Sequence, residues 1–136
     1  MAYWLVKSEP GAWSWDQHVK QGADPWTGVR NHQAKAHLQA MRKGDGVFFY
    51  HSGEGKEVVG VSEVVRDAYA DPTAKDEGWV CVDLKAVEAL KTPVTLAAVK
   101  AHTSLSDMVL VKNSRLSVQP VQASEWKAIR KMGGLK

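Results

Sequence analysis

The chain has 136 residues, of which 44% are hydrophobic and 24% are charged, and its net charge is +3. This length and composition are typical of one ordinary globular domain. No apolar run approaches the roughly 20 residues needed to span a bilayer, and Lys7 and Glu9 follow the start too closely for a signal-peptide core. Cys81 is the single cysteine, which excludes an intramolecular disulfide and a cysteine-based zinc site, so we expect a cytoplasmic protein.

The first elements predicted along the chain are a strand and a short helix. Tyr3–Lys7 is an aromatic and β-branched run typical of a strand, and the turn residues at 8–11 end it. Ser14 and Gln17 have the spacing of a capping box, which predicts a helix that ends at Gly22.

A clearer helix is predicted after a loop at residues 26–31. Asn31 is its predicted cap, because an asparagine side chain can accept from a backbone N–H two or three residues on. Ala34 and Leu38 lie on one apolar face of this helix, and Gly44 lies just past its end.

The pattern changes from helical to extended at Gly46. Val47–Tyr50 is apolar on both faces, which is typical of a central strand, and residues 52–55 predict a turn into a second strand at 57–66. Gly60 within that strand predicts either a bulge or a close approach of the backbone.

The second half of the chain has weaker signals. Residues 79–89 alternate apolar and polar side chains, which predicts a half-buried antiparallel strand that Pro93 ends. Thr95 caps a predicted short helix, and residues 108–111 are compatible with a helical turn or a strand. Residues 116–121 alternate again, as in an edge strand.

A final helix is predicted from Ser124, with Trp126 and Ile129 facing inward and Gly133 at its end. The chain thus has five or six mostly antiparallel strands with three or four helices. This combination predicts an α+β domain built on a small curled sheet or barrel.

The stretch Trp26-Thr-Gly-Val-Arg-Asn31 places an aromatic plane, a guanidinium and an amide just before a helix. The unpaired amides of a helix N-terminus favour anionic or carbonyl-rich ligands, so we interpret the stretch as a recognition site. Two alternatives stay open. Trp26 could only anchor the loop, and Asn31 could only cap its helix.

The charges are unevenly distributed along the chain. Residues 63–88 are rich in Asp and Glu, residues 110–136 are rich in Lys and Arg, and residues 30–43 contain four cations and no acid. This segregation predicts a basic side that can meet phosphates, although a solvated charged face explains such a distribution at least as often.

Signals of catalysis and metal binding are thin. His51-Ser52 is an adjacent pair rather than a nucleophile and base brought together by a motif, and there is no Gly-x-Ser-x-Gly elbow. His32 and His37 are five residues apart, which leaves them off a common helix face and poor as metal ligands. We therefore expect no catalytic residues, no metal site and no cofactor.

Several ordered motifs occur along the chain: Tyr3-Trp-Leu-Val-Lys-Ser-Glu-Pro10, Ser14-Trp15, Trp26–Asn31, Gly44-Asp45, Phe48–Ser52 and Arg115–Val121. Together they resemble the EVE domain family, which belongs to the PUA-like superfamily. The resemblance extends from Tyr3 to about Ile129. It implies a PUA-like β-barrel, mixed or antiparallel, with a pocket between the barrel and its flanking helices.

The resemblance also implies how such a pocket is used. The related YTH domain reads a methylated adenine in RNA, and EVE domains are thought to read modified bases in DNA or RNA. Trp26 and Thr27 match the position of a cage tryptophan in the YTH pattern, and Lys7-Ser8 matches the exit of its first strand. No motif places a second cage tryptophan.

We therefore interpret the protein as a non-catalytic module that inserts a methylated or hydroxymethylated base of DNA or RNA into an aromatic and polar pocket. The base must be single-stranded or flipped out, and stacking on an aromatic platform offsets that cost. The predicted ligand-binding residues are Trp26, Arg30, Asn31, Ser8, Lys7, Thr27, Trp15 and Arg115.

Rival interpretations remain for these residues and for the whole chain. Ser8 could be an ordinary turn residue, and Arg115 could pair with an acid of residues 63–88. The chain could instead be an enzyme or enzyme subunit that acts on modified nucleosides or RNA, or an adaptor that binds a small molecule. We expect no membrane partner and favour a monomer.

Overall fold

The computed structural model describes residues 1–53 and 55–136, so Glu54 of the predicted 52–55 turn lies outside the described residues. The elements in chain order are β1 (Tyr3–Ser8), α1 (Trp15–Gln21), β2 (Ala23–Pro25), α2 (His32–Ala40), β3 (Gly46–His51), β4 (Glu57–Ala70), β5 (Val80–Thr95), α3 (Leu96–Ala101), a 3₁₀ turn (Thr103–Leu105), α4 (Val109–Lys112), β6 (Val118–Val121) and α5 (Ala123–Met132). In the part of the chain described, no helix combines the length and apolar character that crossing a membrane requires.

The strands form one mixed sheet in the order β2-β5-β4-β3-β1-β6. β1 and β3 are parallel, and every other neighbouring pair is antiparallel. The predicted α+β class with mostly antiparallel strands is therefore confirmed. The predicted closed barrel is wrong, because β2 and β6 remain separate edges of an open sheet in the residues described. With three and four residues, these edge strands provide too short a ladder to close it.

The predicted helix starts agree with the structure at three positions. The Ser14 hydroxyl accepts from the Gln17 backbone N–H at 3.2 Å, and the Gln17 side chain accepts from the Ser14 N–H at 2.8 Å. Asn31 Oδ1 accepts from the Ala34 N–H at 2.9 Å, and Thr95 caps α3 through its hydroxyl. These caps satisfy backbone donors that the helices leave unpaired.

Several predicted boundaries differ from the structure, including those of the last helix and of β5, and the number of helices is larger than expected. The last helix begins at Ala123 rather than after Ser124, because the Glu125 carboxylate accepts from the Gln122 N–H at 2.8 Å. β5 continues past Pro93, since a register shift between Val58 and Gly60 leaves the proline outside the paired positions. The five α-helices described include α4, whose four residues are too few to show a helical period.

Both faces of the sheet are covered by apolar side chains. Phe49 belongs to one cluster with Trp26 and Leu38, whereas Phe48 belongs to the other with Trp126. Neighbouring residues of a strand point to opposite faces, which explains why the two phenylalanines of β3 lie in different clusters. The helices α1 and α2 cover the first face, and α5 covers the second.

Gly60 allows α1 to approach the sheet closely. A Cβ atom at this position would lie 2.4 Å from the ring of Trp15, a distance at which something must shift. The strand register also shifts beside Gly60. The prediction of a bulge or a close approach at this glycine is therefore confirmed in both respects.

Candidate nucleobase-binding site

A cavity of about 680 Å³ opens beside the end of β1, the end of α1 and the loop after β2. This volume lies within the range of roughly 300 to 1,000 Å³ that is usual for small-molecule sites. The cavity is lined by residues 7–9, Ala12, Trp13, Gln21, residues 24–30 and Ser117.

Trp26 forms a fixed aromatic wall of the cavity. Its side chain is 8% exposed, and its ring meets Phe49 edge-on, with the centroids 5.5 Å apart and the planes at 86°. Its backbone N–H donates to the Val82 carbonyl at 2.7 Å, which ties the loop to β5. An indole held in this way offers a rigid surface on which a planar ligand can stack.

Trp13 is a second aromatic residue of the lining. Its backbone N–H donates to the Glu9 carbonyl at 2.9 Å, and its carbonyl accepts from the Ser8 hydroxyl at 2.6 Å. Its indole Nε1 is buried and has no hydrogen-bond partner among the described residues. A buried donor without a partner is uncommon, which distinguishes this N–H from the other polar groups of the lining.

Lys7 and Ser8 reach the cavity from the end of β1. The Ser8 hydroxyl holds the following turn through Trp13. The Lys7 ammonium donates to the Ser114 carbonyl at 2.6 Å and lies 5.7 Å from the centre of the Tyr50 ring. Burial lowers the pKa of Lys7 from its ordinary value. Both side chains therefore hold neighbouring segments together at the margin of the cavity.

The loop at 26–30 is held from outside by Asp71. This carboxylate accepts from the Gly28 N–H at 2.9 Å, from Arg30 Nη1 at 3.0 Å and from the Thr73 hydroxyl at 2.6 Å. Burial acts to raise the pKa of Asp71, but the hydrogen bonds from Thr73, Gly28 and Arg30 lower it to about 2. The Arg30 side chain remains 37% exposed, so part of its guanidinium faces solvent beside the cavity.

A row of buried polar groups reaches the cavity from the core. His18 Nδ1 lies 2.6 Å from Asp24 Oδ1, and His18 Nε2 lies 2.8 Å from the Ser62 hydroxyl. Asp24 is 9% exposed and lines the cavity, whereas His18 and Ser62 have no exposed surface. Phe49 stacks on the imidazole at a centroid distance of 5.3 Å. The position of the Asp24 carboxylate is therefore fixed from behind.

The structure brings five of the predicted ligand-binding residues to the cavity and leaves three outside it. Those in the lining are Lys7, Ser8, Trp26, Thr27 and Arg30.

The other three predicted residues have different positions, each with a physical reason. Asn31 uses its side-chain oxygen to cap α2. Trp15 is 7% exposed and packs in the core over Gly60, where it supports the cavity without lining it. Arg115 is exposed on the loop before β6, two residues from Ser117, which does line the cavity.

Sequence reasoning missed Trp13 and Asp24. Trp13 lies in a turn, where no periodicity marks a side chain as functional. Asp24 lies in β2, whose three residues are too few to show a strand pattern. Its position two residues before Trp26 was the signal that could have identified it.

His51 has a structural role. Its Nε2 accepts from the Trp15 N–H at 3.0 Å and so holds the start of α1. Burial lowers the pKa of His51 from its ordinary value, against the opposing effect of the Glu57 and Asp16 carboxylates. Within residues 1–53 and 55–136, no cluster of three or more His, Cys, Asp or Glu side chains is placed to hold a metal ion.

Comparisons with known proteins identify relatives along nearly the whole chain. Residues 2–132 match the family model of the EVE domain. Human thymocyte nuclear protein 1 is 31% identical over 164 residues, which cover 92% of this chain and 71% of that protein. The NMR structure of a Rhodopseudomonas palustris protein is 64% identical with a TM-score of 0.94, and the match covers 98% of this chain and 94% of that one.

Two further solved structures contain nucleic acid. One is human thymocyte nuclear protein 1 in complex with DNA containing 5-methylcytosine, which is 30% identical with a TM-score of 0.89 and covers 100% of this chain and 99% of that one. The other is a Zygosaccharomyces rouxii YTH domain in complex with N6-methyladenosine RNA. At 19% identity and a TM-score of 0.62, covering 99% of this chain and 85% of that one, it shows a shared fold.

Proposed function

The chain belongs to the EVE domain family, and we propose that it is a non-catalytic module that reads a modified nucleobase in DNA or RNA. A methylated or hydroxymethylated base inserts into the cavity and stacks on Trp26. The observation that carries this proposal is a cavity of about 680 Å³ that combines a fixed indole wall with polar lining groups. The complex of human thymocyte nuclear protein 1 with 5-methylcytosine DNA supports it.

The energetics of insertion are consistent with this role. Removing a base from its stack costs a few kcal/mol, and stacking on one aromatic side chain returns roughly 1 to 3 kcal/mol. Trp26 thus offsets most of the cost, and the polar lining decides which base is retained. A single methyl group in an apolar pocket gives about 10- to 200-fold discrimination.

In this proposal, cations beside the cavity meet the phosphates of the inserted nucleotide. Arg30 keeps part of its guanidinium in solvent at the margin, and Arg115 is exposed on the loop that leads to Ser117. Contacts of this kind release counterions, so the affinity falls as the salt concentration rises.

The test compares Trp26→Leu with Trp126→Leu. Both tryptophans are 8% exposed, but Trp126 packs in the cluster on the other face of the sheet, between Tyr3 and Phe48. Fluorescence anisotropy measures the Kd for labelled single-stranded DNA and RNA that carry one 5-methylcytosine, 5-hydroxymethylcytosine or N6-methyladenine, with unmodified controls.

We expect the wild-type protein to prefer one modified base and Trp26→Leu to weaken its binding by about 5- to 150-fold, since roughly 1 to 3 kcal/mol of stacking is lost. Trp126→Leu should lower stability and leave the Kd of the folded protein unchanged. Equal Kd values for wild type and Trp26→Leu would refute the proposal. If the protein binds a small molecule and oligonucleotides do not compete with it, the small-molecule function is favoured instead.

A further inference from the structure

We propose that Asp24 selects the class of base that the cavity accepts. It favours a base with an exocyclic amino group, a cytosine or adenine derivative, over one with a carbonyl in that place, such as thymine. This inference rests on the proposed function and adds the chemical feature by which the base is recognised.

The first argument is the hydrogen-bonding state of the carboxylate. Asp24 lines the cavity, and its Oδ1 is bound by His18 at 2.6 Å. Among the described residues no donor reaches its Oδ2. An ionised carboxylate can only accept, and a polar atom that ligand binding buries needs a partner. The amino group of a base meets that need, whereas a carbonyl brings a second acceptor against it.

The second argument is rigidity. The imidazole of His18 is held by the Ser62 hydroxyl at 2.8 Å, by Phe49 stacked on one face and by the edge of Trp15, at a centroid distance of 5.6 Å. The backbone of Asp24 is held by the pairing of β2 with β5. Because the carboxylate cannot turn away without breaking the bond to His18, it discriminates between base edges instead of adapting to both.

The third argument is the orphan donor in the same lining. Trp13 lines the cavity, and its indole Nε1 is a buried donor that has no partner among the described residues. The Watson–Crick edges of cytosine and adenine offer an amino donor beside a ring-nitrogen acceptor. Thymine presents a carbonyl beside a ring N–H, which is the reverse order.

The test uses a matched pair of bases. 5-Methylcytosine and thymine carry the same methyl group on the same ring and differ only in the amino or carbonyl group at C4 and in protonation of the neighbouring nitrogen. Anisotropy titrations with two single-stranded DNAs that differ at this one base give the ratio of their Kd values. We expect wild-type protein to favour 5-methylcytosine by about 10- to 100-fold, because a mismatched edge leaves buried groups unpaired.

Asp24→Asn is the decisive variant, since it keeps the shape of the side chain. Its amide oxygen can still accept from His18, while its NH₂ replaces the free oxygen with a donor. We expect the preference for 5-methylcytosine over thymine to fall by at least about 10-fold and to move toward thymine. Asp24→Ala should weaken the preference without reversing it. If a substitution reduces the amount of folded protein, the apparent affinities for the two DNAs fall by the same factor. The ratio of their Kd values is therefore unchanged.

The outcomes separate this inference from the proposed function. If wild-type protein binds modified oligonucleotides and Asp24→Asn leaves the ratio unchanged, the role of Asp24 is refuted and the reader function stands. If wild-type protein binds neither oligonucleotide nor any of the other modified bases above unmodified controls, both proposals are refuted.

Discussion

Replacing Asp71 by Asn should destabilise the protein in a pH-dependent way. The pKa of Asp71 is about 2 in the folded protein against an ordinary value of 3.8, because the hydrogen bonds from Thr73, Gly28 and Arg30 overcome the effect of burial. A difference of nearly 2 units at about 1.4 kcal/mol per unit corresponds to roughly 2 kcal/mol. Since the folded pKa is the lower one, this stability is present above pH 3.8 and is lost as the pH falls toward 2.

Urea unfolding of wild type and Asp71→Asn at a series of pH values between 7 and 2 measures this contribution. We expect the variant to be less stable at pH 7, and the difference to narrow by about 2 kcal/mol at pH 2. Asp107→Asn is the control, because Asp107 forms an ion pair with Lys112 in which the two side chains are 84% and 63% exposed. Exposed pairs contribute little, so this variant should match wild type within about 0.5 kcal/mol. A difference that stays constant with pH would refute the reasoning.

Three further predictions follow from contacts around the cavity. Gly60→Ala should cost roughly 1 to 3 kcal/mol in thermal unfolding, because the new Cβ lies 2.4 Å from the Trp15 ring, and Trp15→Leu should remove most of that effect in the double variant. His51→Gln should make unfolding less sensitive to acid. The lowered pKa of His51 gives stability above pH 6.5 that is lost below it, and glutamine accepts without titrating. Arg115→Gln should reduce the magnitude of the slope of log binding constant against log salt concentration for single-strand binding by about 0.7, whereas Lys131→Gln should leave this slope unchanged.

The sequence predicted the elements that depend on neighbouring residues. The capping box of Ser14 and Gln17 and the cap at Asn31 involve residues three apart, so they can be identified without any knowledge of tertiary structure. Closure of the sheet is a different kind of property. It depends on the lengths of β2 and β6 and on pairing between distant strands, which alternation within one segment does not show.

The cavity residues also divide into those that a local motif identifies and those that depend on tertiary structure. The motifs that resemble a known family contain Trp26 and Lys7-Ser8, and the structure brings these residues to one cavity. Each motif is contiguous, so the sequence alone identifies it. Asp24 was missed because its position in the lining depends largely on contacts between distant parts of the chain. It is positioned by β5 on one side and by His18, which is itself held by Ser62 on β4, on the other. Apart from the position of Asp24 two residues before Trp26, no local pattern indicates this set of contacts.

Under the proposed function, the location of the cavity limits which cations contact the nucleic acid. Trp26 belongs to the cluster on one face of the sheet, whereas α5 packs through Trp126 and Ile129 on the other. The cations of α5 therefore lie behind the sheet, and its Arg130 already pairs with Glu88 at 3.1 Å. The cations of residues 110–136 therefore form two groups. The first group, around Arg115, adjoins the cavity, and the second group, on α5, lies on the other side of the sheet. Of the cations in residues 110–136, only this first group should contribute to binding a strand whose base occupies the cavity.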